Sequence, residues 1–77
     1  MSAISINLYG LSHAAQEFYG RDVQYFWITR ERGAGARTYT LHQMTHRLGA
    51  RQAACVTAHT AEEARAKFSA LVEEVSQ

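Results

Sequence analysis

The sequence predicts a small α+β domain: an antiparallel sheet of three to four strands, a short N-terminal helix, and a long C-terminal helix packed on one face. Three observations lead there. The stretch Val23-Gln24-Tyr25-Phe26-Trp27-Ile28-Thr29 is the densest run of β-branched and aromatic residues, and it holds the one tryptophan. Two runs rich in extended-structure formers flank the glycine-bearing segment Arg32-Gly33-Ala34-Gly35-Ala36-Arg37, as in a hairpin. From Ala61 to Val75 apolar residues recur at helical spacing behind a capping signal.

The elements follow in order. Ala3 to Tyr9 alternates, with Ile4, Ile6 and Leu8 on one side and Ser5 and Asn7 on the other, a half-buried strand that Gly10 ends. Ser12 is placed to cap a helix over His13–Tyr19. Leu11, Ala14, Ala15 and Phe18 form its stripe, and Gly20 stands where a left-handed residue closes it. Asp22–Arg30 is the central strand. One parity carries Val23, Tyr25, Trp27 and Thr29; the other carries Gln24, Phe26 and Ile28. Both faces are therefore largely apolar. One helix layer can cover only one of them, so the second needs cover of its own or a partner.

Thr38–Leu41 returns as the next strand. Residues 41–48 fit either a continued strand that breaks near Thr45 or a helix capped by Thr40 and ended by Gly49; the strand is the favoured reading. Gln52–Ala58 is a further strand of small residues, which lets a helix approach closely. In the last helix, Ala61, Ala64, Phe68, Leu71, Val72 and Val75 make the stripe. Thr60 caps the amide of Glu63, Glu63 can reach back, and Glu63 and Lys67 form an i, i+4 pair.

At 77 residues, with 47% hydrophobic and 19% charged, the chain is expected to be one globular domain over residues 1–77. Such a domain buries only about 60–65% of its unfolded surface, a shortage that a partner or a homodimer would relieve. Net charge is +1, but it is segregated. Residues 21–51 carry six arginines against Asp22 and Glu31, a formal +4, and the remainder carries −3. No apolar run is long enough for a membrane span and no basic-then-apolar leader opens the chain; with Cys55 as the one cysteine, a cytoplasmic setting is expected.

The residues that bear on function are few. His42 and His46 have the spacing of metal ligands on a helix, with His13, His59 or Cys55 as third ligand, but on a strand they stand roughly 13 Å apart. The glycine segment lacks the third glycine and the Lys-Ser/Thr of a nucleotide loop. Cys55, in a run of small apolar residues, reads as buried packing. No nucleophile–base pair or cofactor loop is present, so the expectation is a non-catalytic protein without cofactor or metal. The suggestive group is arginine: Arg30, Arg32 and Arg37 flank the hairpin tip, and Arg47 and Arg51 flank Gly49-Ala50. Guanidinium groups favour carboxylates and phosphates, and Tyr25, Trp27 and Tyr39 offer stacking faces beside them. Glu73 and Glu74 sit at the end of the last helix that its dipole disfavours, a second candidate contact.

From Ser12 onward, the order of short helix, three strands and long helix resembles a double-stranded RNA-binding domain. That family carries lysines at the start of its last helix, where this chain reads Thr60-Ala61-Glu62-Glu63-Ala64-Arg65, so the resemblance ends at the order of elements. Small size, one α+β domain, a single cysteine and charge-segregated faces also look like the small anti-CRISPR proteins of phages and mobile elements. That group shares no motif, and no residue is carried over. The resemblance implies a protein that binds a CRISPR surveillance complex and blocks target DNA recognition by surface complementarity. The alternative is a small nucleic-acid-binding protein using the arginine-rich hairpin and sheet face.

Overall fold

The computed structural model describes residues 3–6, by backbone alone, and 10–75. The chain runs β1 (Ala3–Ile6), α1 (His13–Gly20), β2 (Val23–Glu31), β3 (Arg37–Thr45), β4 (Gly49–Ala58), α2 (Ala61–Val75). The strands form one antiparallel sheet in the order β1-β2-β3-β4. Both helices pack on one face of it, the α+β architecture expected. The end of the first predicted strand, Asn7–Tyr9, lies outside the described residues.

Residues 41–45 continue the strand. β3 runs to Thr45, and the Thr45 hydroxyl then closes a tight turn: it donates to the Gly49 carbonyl at 2.8 Å and accepts from the Leu48 amide at 2.9 Å. Gly49 takes φ 77°, a left-handed conformation that costs a glycine little. β4 therefore begins at Gly49, three residues earlier than its small-residue run indicates.

Parity decides the two faces. Phe26 and Ile28 of β2, Tyr39, Leu41 and Gln43 of β3, and Ala54, Val56 and Ala58 of β4 point under the helices. Ala15, Tyr19 and Leu11 close the core from the α1 side, and Ala64, Phe68 and Val72 close it from α2. Tyr19 meets Phe68 edge to face at 6.4 Å, and its hydroxyl donates to the Phe68 carbonyl at 3.1 Å, so the buried Tyr19 hydroxyl is satisfied. The Ser12 amide donates to the Ser69 hydroxyl at 3.0 Å, tying the two helices together where α1 begins.

Several local expectations shift by one position. The buried stripe of α1 is Leu11, Ala15 and Tyr19, while Ala14 and Phe18 face outward; the spacing of four carries the core contact, because the bulkier Tyr19 can also satisfy its hydroxyl. Ser12 caps α1, accepting from the Ala15 amide. Gly20 stays inside the helix, and the left-handed residue is Asp22, at φ 60°. The bounds of α2 are those expected, and the Thr60 hydroxyl accepts from the Glu63 amide at 3.1 Å. The Glu63 carboxylate reaches back to the His59 amide, at 2.6 Å, one residue beyond the cap. That bond, with Lys67 and His59 nearby, holds the Glu63 carboxyl below its ordinary pKa. Leu71 and Val75 lie largely outside the core, since only the turns of α2 at Ala64, Phe68 and Val72 meet the sheet and α1.

Candidate functional site: the uncovered sheet face

The opposite face of the sheet carries no helix among the described residues. Tyr25, Trp27 and Thr29 of β2 stand on it, beside Thr38, Thr40, His42 and Met44 of β3 and Cys55 and Thr57 of β4. Two irregularities set this pattern. A bulge between Val23 and Tyr25 breaks the simple alternation at the start of β2, and another opposite Leu41 and His42 adds a residue to β4.

Trp27 and His42 are cross-strand partners, and their rings stack at 5.1 Å with planes 16° apart. Tyr25, two residues before Trp27 and therefore on the same face, lies 5.5 Å from it and is 53% exposed. The three rings make a continuous aromatic ladder. Thr29 adds a polar anchor: its hydroxyl and the His42 Nε2 are 2.6 Å apart. Partial burial holds the His42 imidazole below its ordinary pKa, favouring the neutral ring. A neutral ring keeps one nitrogen for Thr29 and leaves the stack uncharged. Further along, the Thr40 hydroxyl and Cys55 thiol are 3.2 Å apart.

The sequence singles out Tyr25 and Trp27 correctly as surface aromatics. Tyr39 is wholly buried: it shares parity with Leu41, so it faces the helices and has no role in stacking. Cys55 reverses the other way. Val56, Ala54 and Ala58 take the inward parity, which leaves the thiol exposed. Composition does not single out His42 as a stacking residue; its cross-strand pairing with Trp27 in the hairpin is the signal that does. As a ligand set the histidines are dispersed. His42 is occupied on the sheet face and His46 lies in the turn, while His13 and His59 sit beside Glu17 and Glu63.

The arginines do not form one group. Arg30, Arg32 and Arg37 lie at the end of the sheet that carries the β2–β3 loop, and Arg47 and Arg51 lie at the other end. Nine-residue strands set these ends roughly 25–30 Å apart. Arg37 is occupied structurally: its guanidinium donates to the Gly33 and His59 carbonyls at 3.1 and 3.2 Å, pinning the hairpin loop to the start of α2. Arg51 donates through Nε to the Gln43 amide oxygen at 2.9 Å. Arg32 and Arg47 are exposed, as are Glu73 and Glu74 on the last turns of α2.

Among the described residues no helix is long and apolar enough to cross a membrane. No family model, no curated protein and no solved structure matches this chain.

Proposed function

We propose that this protein is a non-catalytic protein-binding module whose contact surface is the uncovered sheet face, centred on Trp27 and His42. The observation that carries this reading is the aromatic ladder Tyr25–Trp27–His42, standing among Thr29, Thr38 and Thr40 on a face without a helix among the described residues. Aromatic rings held rigid before binding lose little entropy on contact and concentrate binding energy. The molecule's broad side spans 34 × 29 Å, the scale of the roughly 800 Å² that each partner contributes to a standard interface. In the setting implied by the likeness to small anti-CRISPR proteins, the partner is a subunit of a CRISPR surveillance complex, and occupancy of that subunit would block target DNA recognition.

The same ladder also fits nucleobases, which makes nucleic-acid binding the second reading. The middle of the face weighs against it. Tyr25, Trp27, Thr29, Thr38, Thr40, His42 and Cys55 offer no lysine or arginine to a phosphate backbone.

The test uses the chain as bait in an extract of its source cell, beside Trp27→Thr and the double charge reversal Arg32→Glu with Arg37→Glu. A protein retained by the parent chain and the charge-reversed chain, and lost with Trp27→Thr, is the expected result. Equal retention by all three would sink the sheet-face reading. Trp27 is the lone tryptophan, so its fluorescence reports binding directly. Quenching by single-stranded DNA that vanishes steeply with salt would favour the second reading instead.

A further inference from the structure

Three guanidinium groups gather at one corner of the molecule, apart from the aromatic ladder. Arg21 follows α1, Arg47 lies in the β3–β4 turn, and Arg51 lies just after it on β4. They line two adjoining open clefts of about 500 and 530 Å³, which share Arg51 and Asp22. Arg51 is held in place by a relay through a buried amide. Gln43 Nε2 donates to the Tyr19 carbonyl at 2.7 Å, and Gln43 Oε1 accepts from Arg51 Nε at 2.9 Å. That relay fixes the guanidinium while leaving both of its terminal nitrogens without a partner among the described residues.

Ion pairs among the described residues lie outside this corner: Glu17 with His13, and Glu63 with His59 and Lys67. Here no carboxylate among the described residues makes an ion pair with Arg21, Arg47 or Arg51, although Asp22 lines both clefts. Each cleft holds two arginines against Asp22, and over the two adjoining clefts together three positive charges against one leave a formal +2. A prefixed guanidinium presents parallel N–H groups, the geometry that oxyanions accept.

We propose that this corner is a binding site for a dianionic phosphoryl group. A charge of −2 cancels the local +2, where a carboxylate would leave half of it standing. Phe18 lines the cleft shared with Arg21 and Arg51, stands edge-on to Tyr19 at 5.4 Å, and is 41% exposed. It offers an apolar wall to a flat group carrying the phosphoryl. The site is independent of the sheet-face reading, because neither Trp27 nor His42 contributes to it.

The experiment is calorimetric titration of the whole chain at low ionic strength. The pH is about 8, above the second pKa of about 6 that phosphate esters show. The probes are phenyl phosphate, inorganic phosphate and benzoate. Phenyl phosphate is expected to bind at least about tenfold tighter than benzoate, which has the same ring and one charge fewer. Tighter binding of phenyl phosphate than of inorganic phosphate would assign the natural ligand as an ester seated on Phe18; equal binding would assign free phosphate. Arg51→Gln should weaken phenyl phosphate about tenfold or more, the usual cost of losing a charged hydrogen bond. Because Arg51 also braces Gln43, the exposed Arg21→Gln and Arg47→Gln are tested alongside and should each weaken it with the fold intact. Benzoate binding as tightly as phenyl phosphate, or folded variants with unchanged affinity, would overturn the proposal.

Discussion

The two faces of the sheet are made from the same strands and have opposite fates. On the helix side, Ile28, Tyr39 and Leu41 are fully buried beneath Tyr19, Phe68 and Val72. On the other side, Trp27 stacks on His42 and Tyr25 leans on Trp27, with no helix among the described residues over them. Neighbouring residues of β2 thus belong to different environments: Ile28 is sealed, while Trp27, beside it, is partly open. The difference teaches that burial here follows the placement of the helices and not the apolarity of the side chain. Two helices of 8 and 15 residues suffice for one layer of core, and the second apolar face is left for contact.

The largest test of this contrast is on the sealed side. Phe68→Ala removes a wholly buried ring from the centre of the helix layer. It should cost about 3–5 kcal/mol, a large part of the stability of so small a domain, read as a lower denaturation midpoint or loss of the cooperative transition. Trp27→Thr is the matched change on the open side. It removes two ring contacts but opens no core cavity, so the expected cost is about 1 kcal/mol. If denaturation showed Trp27→Thr to be as damaging as Phe68→Ala, the two faces would not differ in the way the structure implies.

The smallest effect sharpens the picture of the open face through pH. Partial burial depresses the His42 pKa below its ordinary 6.5, so the unfolded chain takes up this proton first. Stability from this group is then complete above about 6.5 and declines as pH falls from there through the folded pKa. His42→Gln should flatten stability against pH in that window. A slope unchanged by the substitution, measured by denaturation at several pH values, would show that the imidazole is not held neutral by the stack.

How much of this was legible in the residues varies by element. Local signals were enough for α2, whose cap at Thr60 and apolar period yield both of its ends, and for the hairpin strands, whose composition and glycine loop declare them. Alternation favours the continuation of β3 through Thr45, but the same residues also fit a capped helix, and the pairing of Gln43, Met44 and Thr45 with β4 decides between them. The candidate site was half legible. Tyr25 and Trp27 stand out by composition, but His42 joins them only through cross-strand pairing, a non-local fact. The arginines read as one group because several are near in sequence, yet a strand separates them in space. Arg21 lines a cleft with Arg51, yet in sequence β2, its loop and β3 stand between Arg21 and the pair Arg47 and Arg51, so proximity along the chain does not group them.

What the sequence by itself determined is the set of elements and their pattern: alternation marks a strand, a period near four marks a helix, and caps mark its ends. What only the tertiary structure decided is which side of each pattern faces inward. It turned Tyr39 in and Cys55 out, set the α1 stripe on Leu11, Ala15 and Tyr19, and gave Ile28 rather than Trp27 to the core. The reason is that alternation makes two equivalent faces within a strand, and the choice between them lies in where distant helices dock. On this chain both faces of β2 are apolar enough to be the inner one, so the docking of α1 and α2 broke the tie and left Trp27 and His42 for contact.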